Sequence, residues 1–258
     1  MTKRGGGTAA RTADSSPLQM PLWAPRAATP GWHVRISRRA RRLSMRVFPG
    51  GRVEVVVPPG VGIPAIERFV SQHRDWAERR AREFALLVPE AGQRRPASVE
   101  LALLGQRWEV EYHAATRTSI ADRDDGVLRV RTADGTDPQV SRALLRWLAG
   151  VAARELSARL DATAGEIGIG YARMHLRRQR TRWGSCSTAG TISLNVCLMF
   201  QSPAVVRYLM VHELCHRVHM NHSQRYWRLV ESFEPQWRAL DAELLKGWRH
   251  VPAWVFPA

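Results

Sequence analysis

His212-Glu213-Leu214-Cys215-His216 sets two imidazoles four residues apart, with a carboxylate beside the first. On a helix of about 3.6 residues per turn, such positions lie one above the other on the same face, so both rings can address one ion. Zinc accepts imidazole nitrogens at about 2.0–2.1 Å. Glu213 is next to the first ring and is placed to reach a water on that ion rather than the ion itself, as a general base must. Five residues separate His216 from His222, enough for a chain leaving the helix to fold back. Three protein ligands with an open fourth position is the pattern of a catalytic zinc, not a structural one. At this chain's His and Glu frequencies the five-residue pattern arises by chance in roughly one chain in sixty, and the third His lowers that by about another factor of thirty.

A second signal is independent of spacing. Between Ile167 and Val230 there are nine Arg and a single carboxylate, Glu213. A lone acid inside the apolar run Val205–Val218 needs either a cationic partner or a chemical task. The third ligand has competitors. His212, His216 and His222 share the spacing of the metzincin signature, but His219 stands where that signature needs Gly, and no Met follows Met220. Glu231 is the downstream acid that a Glu-ligated site would use, although its helical run favours a solvated or supporting role. His219 is a spare ligand, a transition-state donor or a surface residue. Tyr208, Tyr226 and His219 are all candidate oxyanion donors.

The elements that must position these groups follow from periodicity. Pro203 opens a helix through Val205, Leu209, His212 and His216, and further helices cover Gln224–Phe233 and Pro235–Lys246. Met174–Gln179 and Thr191–Asn195 read as strands around a Trp183–Cys186 turn, with Gly184 permitting a bend at positive φ. That turn is a candidate cleft wall, which makes Trp183 a candidate substrate contact, and packing alone explains Trp183 equally well. Thr191–Asn195 is the candidate edge strand for an extended substrate, which adds Asn195 to the substrate-binding candidates with Tyr226 and His219. Cys215 faces away from the two imidazoles, toward the core.

Upstream, Val34 and Ile36, then Leu43, Met45 and Val47, and Val53, Val55 and Val57 alternate around Pro49-Gly50-Gly51 as a β-hairpin. Helical spacing runs from Pro64 to Leu87, where Pro89 and Gly92 stop it. A second β region covers Leu101–Leu104, Trp108–Tyr112 and Val127–Val130, and a long helix spans Val140–Ala164. The class is α+β. Residues 1–31 form a flexible tail, 32–137 a β-rich region with one helix, 138–248 the part holding the chemistry, and 249–258 a C-terminal tail.

The chain has 258 residues and a net charge of +16, carried by 37 Arg and only Lys3 and Lys246. Such a field favours anionic partners, DNA or RNA above all, and a genomic preference for Arg codons gives the same count. Arg177, Arg178, Arg180 and Arg182 are the candidate phosphate contacts, or they merely solvate a strand. No apolar stretch reaches 18 residues, so no membrane partner is expected. No signal-type apolar segment occurs near the start, and three Cys without a CxxC read as free thiols in a reducing cytoplasm. The sequence carries no signal for an oligomeric state.

Arg182-Trp183-Gly184-Ser185-Cys186, Ile192-Ser193-Leu194-Asn195, His212–His216 and Asn221-His222-Ser223 with Tyr226-Trp227 together resemble the YgjP-like, SprT-like zinc metallopeptidases of bacteria. The likeness runs from Arg38–Ser44 and Val57-Pro58-Pro59-Gly60 to Trp237, within about residues 32 to 246. It implies a small zincin-like helical catalytic domain with short strands behind a β-rich N-terminal part. It further implies Zn2+ on His212, His216 and His222, Glu213 as catalytic base, and a protein or peptide substrate. SprT-like relatives include proteases acting on DNA-attached proteins, which by analogy suits the charge.

Overall fold

Apolar alternation in Trp32–Ile36 (β1), Ser44–Val47 (β2) and Val53–Val57 (β3) gives a three-stranded sheet in the order β1-β3-β2. β2 and β3 form the expected hairpin, with Met45 opposite Val55, and β1 adds to β3 in parallel. The computed structural model describes residues 32–48, 51–85, 95–123, 125–133 and 135–256. The tail 1–31, Pro49-Gly50 of the hairpin turn, the helix end at 86–87 with its stop signals Pro89 and Gly92, and the last two residues lie outside these.

Helix α1 (Ile63–Ala85) packs across this sheet, burying Val70 against Val55 and Val57. A second sheet follows, built from β4 (Ser98–Leu101), β5 (Gln106–Ala114), β6 (Ser119–Asp122) and β7 (Val127–Thr132) in the order β4-β5-β7-β6. Strand β6 was not expected. Its residues are largely exposed, so it lacks the apolar alternation that marks a half-buried strand.

Helix α2 (Asp137–Ile167) crosses the second sheet and carries Leu144, Leu148, Leu156 and Leu160, all fully buried. Gly168 ends it at φ 68° and donates its N–H to the Ala164 carbonyl, a left-handed cap that favours glycine. The third sheet holds β8 (Arg173–Arg177), β9 (Gly184–Cys186) and β10 (Thr191–Asn195) in the order β8-β10-β9. Two expectations change here. Residues 184–186 form a strand antiparallel to β10, not a turn, and β10 is the central strand with partners on both sides. The edges of this sheet are therefore β8 and β9.

After a buried 3-10 turn at Val196–Phe200, α3 (Pro203–Cys215) begins where the Ser202 hydroxyl accepts the Val205 N–H. Val205, Met210, Val211, Leu214 and Cys215 are completely enclosed, so α3 is fixed from nearly all sides. Each such aliphatic side chain contributes about 1.5–3 kcal/mol by leaving water. Helices α4 (Gln224–Phe233) and α5 (Trp237–Lys246) close the fold, α4 being capped by the Ser223 hydroxyl on the Tyr226 N–H. Among the described residues, five helices and three small sheets make an α+β protein. No described helix is long and apolar enough to cross a membrane.

Candidate metal centre

His212 stands on α3, His216 one turn later is its C-terminal cap, and His222 lies just before the cap of α4. One ring nitrogen from each of the three lies within 4.8 Å of the others. The Nε2 atoms of His212 and His222 approach to 3.2 Å. Two nitrogens on a tetrahedral zinc, each at about 2.05 Å, stand roughly 3.3 Å apart. The gap therefore fits a shared ion.

Proton positions support the same fit. Nδ1 of His216 lies 3.1 Å from the His219 carbonyl, which can only accept, so Nδ1 carries the proton and Nε2 keeps its lone pair. Behind His212, the Tyr208 hydroxyl donates to Asp241 Oδ1 at 2.9 Å and stands 3.4 Å from His212 Nδ1. Having given its proton to Asp241, the hydroxyl can only accept from His212, again leaving Nε2 free. Burial, with His216 and His222 close by, pushes His212 down to about 3, which keeps the imidazole in its neutral, ligating form. Partners of this kind typically change metal affinity by about 10–100-fold. Asp241→Asn and Tyr208→Phe are each expected to weaken metal binding by that factor in chelator competition, without shifting the unfolding temperature of the metal-free protein by more than a few degrees.

Aromatic contacts hold the other two histidines. Tyr226 is fully buried, stacks on His216 with ring centroids 4.5 Å apart, and donates its hydroxyl to the His212 carbonyl at 2.9 Å. Trp227 stacks on exposed His222 at 5.5 Å and on Trp237 at 4.1 Å. Glu231 stands outside the His cluster and pairs with Arg238 at 2.7 Å.

Glu213 points from α3 toward β9. Its carboxylate accepts the Cys186 N–H, and burial pushes its pKa up to about 8 against the opposing pull of the Arg182 charge and that hydrogen bond. Gly184 explains the approach. A Cβ there would fall 2.5 Å from Glu213 Oε1 and 2.9 Å from its Cγ. Gly184 is absent from the positive-φ glycines, so clearance and not a bend calls for glycine at this point. Gly184→Ala must displace the carboxylate or the strand. A misplacement near 1 Å can cost about 10²-fold in rate, so a fall of that size in kcat/KM with metal retained is the expected result.

Several sequence candidates sit elsewhere. Asn195 is buried, its amide donating to the Gln179 and Arg182 carbonyls and its oxygen accepting the Cys197 N–H, so it orders the loop before β9 and has no atom left for substrate. Trp183 is buried against Trp248, ring centroids 4.1 Å apart, and is a packing residue. The Tyr208 and Tyr226 hydroxyls are committed as described, which removes both as oxyanion donors. His219 is half-buried and, among the described residues, its ring makes no hydrogen bond. The four arginines do not form one patch. Arg177 turns to His175, Arg178 reaches the Val255 carbonyl, Arg180 lies over Phe256, and Arg182 acts on Glu213.

Residues 41–246 match the family described as YgjP-like, metallopeptidase domain. The chain belongs to that family. A metal ion and a protein or peptide substrate therefore belong to this metallohydrolase. Among solved structures, the chain is similar to the metallopeptidase zymogen of Pyrococcus abyssi abylysin, at 21% identity and TM-score 0.32 over 34% of this chain and 90% of that one. It is also similar to the metallopeptidase zymogen of Methanocaldococcus jannaschii jannalysin, at 14% identity and TM-score 0.31 over 34% of this chain and 92% of that one. No curated protein matches.

Proposed function

We propose that this metallopeptidase is a zinc peptidase in which His212, His216 and His222 hold the ion and Glu213 is the general base. Zinc supplies acidification of water and polarisation of the scissile carbonyl. Glu213 takes the proton of the attacking water and delivers it to the leaving amine. Its burial against Gly184 limits its excursions, so the carboxylate stays aimed between α3 and β9. An extended peptide adds along the free edge of β9, where the backbone groups of Gly184 are not used by β10. His219 and Arg182 are the remaining polar groups for the developing oxyanion. The catalytic unit in this reading is 138–248.

The observation that carries the reading is the 3.2 Å convergence of His212 and His222 Nε2 beside a buried carboxylate that is not itself in the ligand cluster. A purely structural zinc has no use for that carboxylate. The deciding experiment replaces Glu213 by Gln and measures hydrolysis of an unfolded protein together with bound zinc. The reading requires loss of the first and retention of the second.

A further inference from the structure

Away from the histidines, a cavity of about 610 Å³ opens between α2, the segment before β6 and the segment after β8. It is lined by Arg142, Arg146 and Arg178 together with the apolar Leu145 and Ala149. No carboxylate is among the described lining residues. Two of the three guanidiniums are oriented by neutral backbone groups. Arg146 Nη2 donates to the Thr118 carbonyl at 3.3 Å, and Arg178 Nη1 to the Val255 carbonyl at 3.3 Å. These bonds fix direction without cancelling charge.

Arg142 and Arg146 are four apart on α2, where like charges repel and destabilise the helix. The positive strip also extends past the cavity. Arg180 lies over the Phe256 ring at 5.2 Å, and the charges of Arg52 and Arg178, after burial, depress its pKa. The chain thus concentrates cationic groups here, with Leu145 and Ala149 among them.

We propose that this cavity binds the phosphodiester backbone of a nucleic-acid strand, with Arg142, Arg146 and Arg178 as its phosphate contacts. Guanidinium forks match phosphate oxygens in pairs, and the apolar lining residues Leu145 and Ala149 accommodate sugar or base surface. Along α2 the two arginines are separated by a rise of about 6 Å, against roughly 3.4 Å of axial rise per phosphate on one strand, so they address different phosphates. The proposal is separate from the hydrolytic reading and survives its failure.

The test uses the full chain and fluorescence anisotropy of labelled single-stranded and duplex oligonucleotides across a salt series. One variant carries Arg142→Gln, Arg146→Gln and Arg178→Gln. A control of equal charge carries Arg41→Gln, Arg79→Gln and Arg82→Gln, all exposed and remote from the cavity lining. The cavity variant should lower the steepness of log K against log salt by roughly 0.9 per lost contact on duplex, or about 0.7 on single strands. The control should keep the parental slope. Equal loss in both variants would attribute binding to overall charge and overturn the proposal. So would displacement by inorganic phosphate at matched phosphate concentration and ionic strength, which makes the site one for free phosphate. Equal competition by poly-glutamate would overturn it in favour of an acidic protein partner.

Discussion

Glu213→Gln is expected to abolish most hydrolysis while leaving fold and metal in place. Gln preserves the size and hydrogen-bond reach of the side chain, so it still accepts the Cys186 N–H. It cannot take a proton from water. Removing a positioned base lowers rates by about 10²–10⁴-fold, and the fall should appear in kcat and kcat/KM alike. Zinc should stay, because Glu213 contributes no atom to the cluster of ligand nitrogens. Thermal stability should be unchanged or higher, since a side chain 4% exposed no longer holds an ionisable group away from water. Metal analysis, an unfolded-protein assay and a melting curve on one preparation check all three. An active preparation that kept its full rate with Gln at 213 would defeat the mechanism.

His222→Ala should weaken metal binding far more than His219→Ala or Glu231→Ala. Outer partners of a ligand are worth about 10–100-fold in affinity, so removing a ligand should cost more than about 100-fold in chelator competition. Two neighbours serve as controls. His219→Ala should change little, because its contribution to His216 comes from the backbone carbonyl, which alanine retains. Glu231→Ala should also change little, its carboxylate being paired with Arg238. If Glu231→Ala stripped the metal and His222→Ala did not, the ligand assignment would be wrong.

The residues that were legible in the sequence depend on short-range geometry. Four-residue spacing on a helix brings His212 and His216 together whatever the remaining fold, and Pro203 marks the start of α3 because its fixed φ and missing N–H suit a first turn. Strand β10 and helix α4 follow the alternation and the helical period read from the chain. What was not legible depends on contacts between distant segments. Asn195 and Tyr226 are polar residues near the motif, and only the folded chain shows that backbone carbonyls have consumed their hydrogen bonds. Asp241 lies 33 residues from Tyr208, and no local pattern links the two. The arginines at 177–182 are close in sequence and suggest one patch, yet the fold keeps only Arg178 and Arg180 together, beside Val255 and Phe256, and sends Arg177 to His175 and Arg182 toward Glu213. Gly184 was read as a hinge because turns commonly need glycine. Its actual reason, an opposing carboxylate, belongs to a helix 29 positions later.

The placement of His222 immediately before the Ser223 cap has a thermodynamic consequence. In the proposed site His212 belongs to α3, His216 to its C-terminal cap and His222 to the threshold of α4, whose Trp227 also stacks on Trp237 of α5. Metal occupancy and the anchoring of the C-terminal helices are therefore linked functions. An ion present at a hundredfold excess over its Kd adds about 2.7 kcal/mol to the folded state. By reciprocity, whatever loosens the Trp227–Trp237 stack weakens the grip on the ion by the same free energy. The last two helices thus act as a ballast for the metal, and the ambient metal level sets how firmly they are held.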